Sequence, residues 1–145
     1  MALLTIERVA ALRGSGLFAE VPDHVLAGLA RVAEEEPVDA GTVVITRGDE
    51  DDSMLVIVDG RLRVHVGDRT LVELGPGGSV GELSILAPET RSASVTALTS
   101  GLLLRLRRPA FEELMADHPE LARAAIRMLV GIIRDRTPHQ ASDAE

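Results

Sequence analysis

The sequence predicts a mainly β fold with flanking helices: an antiparallel, jelly-roll-like β roll with N-terminal helices and two C-terminal helices. Short apolar segments recur about every ten residues in the middle of the chain and are separated by glycine turns, which is typical of a roll or barrel. Apolar residues recur at helical spacing on both sides of this region. With 145 residues, of which 46% are hydrophobic, the chain can bury a core of its own.

Two helices are expected before the roll. The first covers residues 4–13 and ends at the Gly-Ser-Gly run 14–16, since glycine interrupts a helix. The second begins at Pro22 and keeps apolar residues on one face as far as Ala33. The acidic segment 34–37, which ends in proline, is expected to end this helix and to remain a solvated, charged face.

The roll is expected over about residues 38–107, with polar or glycine-containing turns between its strands. Asp59-Gly60 and Gly67-Asp68 are predicted to be hairpin turns, because an aspartate next to a glycine favours the backbone of a tight turn. Strands are predicted at residues 43–45, 54–58, 62–66, 70–74, 93–98 and 102–106.

Two helices are expected after the roll, at about residues 109–136. Pro109 suits the first turn of a helix, and the Asp-His-Pro run 117–119 separates the first helix from the second. Residues 121–133 place their apolar side chains on one stripe. We expect residues 1–137 to form one domain and residues 138–145 to form a flexible acidic tail.

The composition argues against several classes of partner. The net charge of −8 opposes direct nucleic-acid binding by this chain, because a phosphate backbone attracts basic surfaces. Aromatic residues are only 1% of the chain, which leaves few platforms for stacking bases. Cysteine is absent, so neither disulfides nor cysteine metal sites are expected. No apolar run approaches the length of a membrane span, and we expect a cytoplasmic protein.

One stretch combines groups suited to a ligand with a sugar-like diol and a phosphate. Glu82 can accept hydrogen bonds from hydroxyl groups, and Arg91 offers a charged planar fork to a phosphate. Residues 82–86 are expected to form one helical turn, whose free N–H groups near Leu83 and Ser84 would face the anion. Gly81 permits close backbone approach or an unusual φ. The alternative is that Glu82 and Arg91 only pair with each other across a loop.

This stretch resembles the phosphate-binding cassette of the cyclic nucleotide-binding domain family. That family includes protein kinase A regulatory subunits, cyclic-nucleotide-gated channels and bacterial catabolite activator proteins. The cassette is similar to Phe-Gly-Glu-Leu-Ala-Leu, a short loop, then Pro-Arg-Ser/Ala-Ala-Thr/Ser-Val, and residues 80–95 follow this pattern. Val80 stands at the usual Phe and Thr90 at the usual Pro. The nine-residue separation of Glu82 and Arg91 matches the kinase and channel branch, and the resemblance covers about residues 15–136.

The resemblance implies a cyclic nucleotide ligand, cAMP first, with cGMP left open because a hydroxyl at Ser92 can serve either ring. Glu82 would accept from the ribose 2′-hydroxyl, and Arg91 would bind the cyclic phosphate. The remaining candidate contacts of the cassette are Gly81, Leu83, Ser84, Ser92 and Ala93.

Four apolar residues complete the candidate site. By alignment with the family, Val64 and Leu71 lie on strands that flank the sugar and base, and they are also expected core residues. The family closes its pocket with a lid from the C-terminal helix, which falls here near Met128 or Ile132. These two side chains can cover a purine ring by apolar contact, or they can pack the helix onto the roll or onto a partner.

The leading hypothesis is a sensor domain in which ligand draws Arg91 and the short helix inward and the C-terminal helix closes over the base. An effector domain or protein outside this chain would then receive the signal. The alternative is an interaction module with a vestigial pocket, forming a homodimer through helix 119–136.

A third hypothesis is a cupin-type metalloenzyme on a similar roll. Such a site needs a His-x-His pair with a further Glu and His, whereas the strands here contain only His65. No nucleophile–histidine constellation suggests itself either. We therefore expect no catalytic residues and no metal, and a protein that is not an enzyme.

Overall fold

The computed structural model describes residues 3–136, in which helices stand at both ends of a set of antiparallel strands. The helices are α1 (Thr5–Gly14), α2 (Asp23–Val32), α3 (Arg108–Asp117) and α4 (Pro119–Arg136). This arrangement confirms the predicted mainly β fold with flanking helices. Within the described residues, no helix is long and apolar enough to cross a membrane. The predicted tail at residues 138–145 lies outside the described part.

The strands form two four-stranded sheets and one two-stranded ribbon, and every pairing is antiparallel. They are β1 (Glu34–Val38), β2 (Val43–Ile45), β3 (Glu50–Asp51), β4 (Ser53–Asp59), β5 (Leu62–Val66), β6 (Arg69–Leu74), β7 (Ser79–Val80), β8 (Glu89–Thr90), β9 (Ser94–Ala97) and β10 (Gly101–Arg107). The first sheet has the order β1-β10-β4-β7, and the second has the order β2-β9-β5-β6. The ribbon pairs β3 with β8.

The first sheet lies between two apolar cores, which explains why β4 is apolar on both faces. Alternate residues of β4 serve different cores, as the two-residue period of a strand requires. Leu55 and Ile57 join a core shared with the second sheet. Met54 and Val56 join a core shared with all four helices. The helices contribute to this second core the buried side chains Leu12, Leu26, Leu29, Phe111, Leu121 and Ala125.

The expectation that residues 34–37 form only a solvated charged end of α2 is wrong. These residues belong to β1, which lies at the edge of the first sheet and pairs with β10. Arginines from other elements neutralise the glutamates: Arg8 contacts Glu35 at 2.8 Å, and Arg105 contacts Glu36 at 2.9 Å. Pro37 is tolerated because an edge strand leaves one row of N–H groups outside the sheet.

The two predicted hairpin turns have different outcomes. The turn at Gly67-Asp68 is confirmed, since Val66 pairs with Arg69 across it. The turn at Asp59-Gly60 is not a hairpin, because β4 belongs to the first sheet and β5 to the second. Gly60 has φ +94°, and a Cβ on it would lie 2.9 Å from the Gly101 Cα. Because glycine has no side chain, the backbone at residue 60 can pass close to the start of β10 where the chain crosses from the first sheet to the second.

Candidate functional site

A cavity of about 370 Å³ lies over the second sheet, within the size range of sites for small ligands. The stretch from β7 through the loop before β9 forms one side, and α4 contributes Ile132. The polar lining residues are Ser79, Glu82, Glu89, Thr90, Arg91 and Ser92. The other lining residues are Ile45, Val64, Val72, Leu74, Val80, Gly81, Leu83, Ala93, Val95 and Ile132.

Gly81 joins β7 to a short 3-10 helix, Glu82–Ile85, and it has φ +82°. Its backbone packs directly against the arginine of the motif. A Cβ on Gly81 would clash with Arg91 Nη1 and would lie 2.8 Å from the carbonyl oxygen of Ser53. Glycine is required here by both the backbone conformation and the space.

The short helix confirms the predicted turn, but its N–H groups are not all free. The Ser84 N–H donates to the Gly81 carbonyl at 3.0 Å, as the tight hydrogen bonding of a 3-10 turn requires. The Ser84 side chain is buried, does not line the cavity, and has no partner for its Oγ within the described part of the chain. Ile85 packs into the core shared with the four helices (the helical core), whereas Leu83 lines the cavity.

Glu82 is a half-buried carboxylate in the cavity wall. Ser79 donates its hydroxyl to Glu82 Oε1 at 2.6 Å, which orients the carboxylate. No described residue donates to Oε2, so this oxygen can accept from a hydroxyl of a ligand. Glu82 and Arg91 are not paired with each other, because Arg91 forms its ion pair with Asp51.

Arg91 lines the cavity although it is only 8% exposed. Its Nη2 donates to the Ser53 carbonyl at 2.7 Å and lies 3.2 Å from Asp51 Oδ2. Its Nε is buried and has no hydrogen-bond partner in the described part of the chain. A buried charged donor without an acceptor is costly, and an anion bound against the guanidinium would offer one.

Asp51 is the carboxylate that neutralises Arg91 in this structure. Burial raises the pKa of Asp51, but hydrogen bonds from Ser53 and Arg91, with the charges of Arg91 and Arg105, outweigh this effect. The net pKa lies below the ordinary value, so that Asp51 is ionised at neutral pH.

Most of the residues singled out in the sequence come together at the cavity. Gly81, Glu82, Leu83, Arg91, Ser92, Ala93, Val64 and Ile132 line it, whereas Ser84, Leu71 and Met128 do not. Leu71 is 50% exposed and lies where the pairing of β5 with β6 shifts, after Val64. Val64 pairs with Val72, and Val72 lines the cavity in place of Leu71. Met128 packs into the helical core.

Sequence reasoning missed several residues of the site. Ser79, Glu89 and Thr90 lie within or next to the motif, and their proximity to it is the signal that could have found them. The place of Val72 in the cavity wall could be predicted only from the register in which β6 pairs with β5. Asp51 lies in an acidic run far from Arg91 in the sequence, and nothing in that run marks the residue that contacts the arginine.

Comparison with known proteins assigns this architecture to a described family. A family model described as "Cyclic nucleotide-binding domain" matches residues 35–118. A cyclic nucleotide-gated potassium channel of Mesorhizobium japonicum is 37% identical over 106 residues, which make up 73% of this chain and 29% of the channel. The chain therefore spans less than a third of the length of that relative.

Solved structures give the same assignment. The N-terminal domain of a transcriptional regulator from Streptomyces coelicolor A3(2) has a TM-score of 0.76 and 29% sequence identity, over 86% of this chain and 90% of that chain. The regulatory domain of Toxoplasma gondii PKA, crystallised with cAMP, has a TM-score of 0.69 and 28% identity. That match covers 76% of this chain and 44% of the other.

Proposed function

This chain belongs to the cyclic nucleotide-binding domain family, and we propose that it binds cAMP as a regulatory domain without catalysing a reaction. The observation that carries the proposal is Arg91, a buried guanidinium in the cavity wall whose Nε has no acceptor among residues 3–136. A cyclic phosphate supplies one negative charge and several acceptor oxygens at this position. The similarity to a regulatory domain crystallised with cAMP supports cAMP over cGMP as the first ligand to test.

The polar lining of the cavity suits the ribose and phosphate. Arg91 binds the phosphate through a charge-assisted hydrogen bond, which is stronger than a neutral one. Glu82 accepts from the ribose 2′-hydroxyl, since Ser79 occupies only one of its two carboxylate oxygens. Ser92 and Ala93 lie next to Arg91 in the cavity wall and can add a hydroxyl and a backbone N–H.

The apolar lining of the cavity suits the base. Val64, Val72 and Leu74 from the second sheet and Ile132 from α4 line it. Apolar side chains cover the face of a purine but cannot distinguish the edges of adenine and guanine. The hydroxyl of Ser92 can contact the edge of a base, but as both donor and acceptor it can serve either ring.

Signal transmission is proposed to run through the short helix and α4. Arg108, the first residue of α3, donates from Nε to the carbonyl of Ser84 at 2.8 Å. Movement of the short helix toward a phosphate therefore pulls directly on the start of α3, which leads into α4. Ile132 brings α4 to the cavity, so that a bound base favours the position of α4 in which this contact is closed.

Exposed apolar residues favour a second function for α4, as a dimerisation surface. Ile126 is 60% exposed and Val130 is 40% exposed, and they lie one turn apart on this helix. A second copy of the chain is the proposed occupant of this surface. An effector domain or protein is also proposed, because the channel relative is much longer than this chain.

Titration of cAMP and cGMP into the wild type and Arg91→Ala tests the proposed ligand. We expect Arg91→Ala to weaken binding by about 2–5 kcal/mol, since the phosphate loses its charged partner in a partly dry site. Isothermal titration calorimetry measures the affinity, and Arg61→Ala is the control. Arg61 is a half-exposed arginine paired with Glu73 outside the cavity, so its loss changes the net charge equally.

Two results would contradict the proposal. One is the absence of any thermal stabilisation of the wild type by millimolar cAMP or cGMP, because a ligand that binds the folded state raises its stability. The other is equal affinity of the wild type and Arg91→Ala.

A further inference from the structure

Ser79 lies on a part of the backbone that is held firmly by the first sheet. It belongs to β7 and pairs with Val56 of β4, an interior strand of that sheet. Just before it, the Ile57 N–H donates to the Gly78 carbonyl at 2.9 Å, and the Gly77 N–H donates to the Ile57 carbonyl at 2.9 Å. The side chain of Ser79 is therefore presented to the cavity from a fixed position.

The carboxylate of Glu82 depends on Ser79 for its orientation. Ser79 donates its hydroxyl to Glu82 Oε1 at 2.6 Å. Within residues 3–136, this hydroxyl is the one group that forms a hydrogen bond or an ion pair with the carboxylate. A glutamate side chain has several rotatable bonds, and fixing them costs conformational entropy. The bond from Ser79 makes this ordering part of the folded protein, so that it is not required again when a ligand binds.

The same bond gives the two carboxylate oxygens of Glu82 different roles. A serine hydroxyl carries one proton, and that of Ser79 is directed at Oε1, so Ser79 cannot donate to a ligand at the same time. Oε2 has no donor among the described residues, and an ionised carboxylate can only accept. A ligand hydroxyl supplies the missing donor. A 2′-deoxy sugar has no hydroxyl to supply and would leave a half-buried acceptor unpaired.

We propose that Ser79 is a positioning residue for Glu82, and that it thereby makes the cavity select a ribonucleotide over the 2′-deoxy analogue. This inference rests on the proposed binding of a cyclic nucleotide. It opposes a different role, in which Ser79 contacts the ligand directly from the cavity wall. The geometry favours positioning because the hydroxyl proton of Ser79 already belongs to the bond with Glu82.

Calorimetric titration with cAMP and with 2′-deoxy-cAMP tests the selectivity. We expect the wild type to bind 2′-deoxy-cAMP about tenfold more weakly than cAMP, because Oε2 loses its donor. Ser79→Ala should bind cAMP about tenfold more weakly than the wild type does, while its affinity for 2′-deoxy-cAMP stays within about twofold. Ser79→Thr keeps the hydroxyl and suits a strand, so it should recover part of the selectivity.

A double-mutant cycle separates positioning from direct contact. In the Glu82→Ala background, Ser79→Ala should have no further effect on cAMP affinity. Ser94→Ala is the matched control, since Ser94 is a half-buried strand serine that accepts from the Arg47 N–H at 2.9 Å and does not line the cavity. Its cAMP affinity should stay within about twofold of the wild type. Three results would overturn the inference: unchanged cAMP affinity in Ser79→Ala, an equal loss for both ligands, or the same loss with and without Glu82.

A measurement without ligand separates this inference from the proposed function. In protein labelled with ¹³C at its glutamates, the carboxyl carbon of Glu82 can be assigned by nuclear magnetic resonance, since its signal disappears in Glu82→Ala. We expect this signal to shift in Ser79→Ala, because the carboxylate loses its hydrogen bond, and to stay unchanged in Ser94→Ala. An unchanged signal in Ser79→Ala overturns the positioning role, whether or not the wild type binds a nucleotide. Failure of the wild type to bind cAMP or cGMP, with the signal altered as expected, overturns only the proposed function.

Discussion

The contact between Gly81 and Arg91 is the tightest constraint in the site. A backbone with φ +82° and a guanidinium packed against it leave no room for a side chain at this position. The constraint connects the two halves of the motif, since it brings the start of the short helix against the arginine that follows the loop. The identity of residue 81 therefore decides both the local backbone and the place of the guanidinium.

Gly81→Ala should lower stability and weaken nucleotide binding together. A side chain at positive φ is unfavourable, and the clash with Arg91 adds to that cost, so we expect a loss of more than about 1 kcal/mol in the free energy of unfolding. Gly14→Ala is the control, because a Cβ at Gly14 meets no atom within 4 Å. Urea unfolding and cAMP titration of both variants measure the effects. Equal stability of the two variants would contradict this account.

Individual site residues differ in how far the sequence predicts them. Glu82 and Arg91 belong to one short stretch, so spacing and residue type identify them together. Asp51 and Val72 reach the site through strand pairing, which the sequence leaves undetermined. Val64 pairs with Val72 on the neighbouring strand, and Val72, not Leu71, lines the cavity beside it.

Strand β1 shows how context decides the structure of an element. Three consecutive glutamates and a proline give a poor strand by propensity. The strand forms because arginines from α1 and β10 meet its carboxylates and because β10 supplies its backbone partners. A sequence pattern that describes only the local segment cannot contain these contacts.

Two glutamates of β1 should differ in their effect on stability. Glu36 pairs with Arg105, whose side chain is 11% exposed, whereas Glu34 pairs with Arg107, whose side chain is 45% exposed. We expect Glu36→Gln to lower the free energy of unfolding by about 1–3 kcal/mol, because a buried guanidinium loses its charged partner.

Glu34→Gln is the matched control, and its effect should be below about 1 kcal/mol. Chemical unfolding of both variants at neutral pH measures the difference. A larger loss in Glu34→Gln than in Glu36→Gln would contradict the assignment of Arg105 as the buried partner.

The sequence predicted helix α4 and its apolar stripe, but it did not show which residues of the stripe reach the cavity. Met128 and Ile132 lie four residues apart and share one face of the helix. The position of α4 against the roll separates them: Met128 packs into the helical core, and Ile132 reaches the cavity. That position depends on the packing of all four helices and lies beyond any local pattern.

For the whole molecule, two sequence periods were enough to predict the class of fold. Short apolar segments between glycine turns, alternating at residues 62–66 and 93–98, predicted the strands, and helical spacing at both ends predicted the flanking helices. The order of strands within the sheets did not follow, because β10 joins β1 and β4 from distant parts of the chain. The wrong prediction of a hairpin at Asp59-Gly60 has the same cause. A turn between two strands of one sheet and a crossing between two sheets use similar residues, so the sequence does not distinguish them.

The exposed apolar residues of α4 predict the oligomeric state of the protein in solution. We expect the chain to form a dimer through α4, and Ile126→Glu to shift it to monomer, because a charge on an apolar interface is costly to bury. Sedimentation velocity measures the change. Leu98→Glu is the control, since Leu98 is also exposed but follows β9 on the roll. A monomeric wild type at tens of micromolar would contradict a stable dimer.

The central place of β10 has a consequence for how the chain is made. β10 lies between β1 and β4 in the first sheet, yet it is the last strand of the roll to leave the ribosome. Until then the nascent β1 has no backbone partner, and unpaired strands invite pairing with other chains. Its three glutamates repel the same segment of another copy during this interval. Residues that are poorly suited to a strand in the finished protein thus oppose aggregation of the unfinished one.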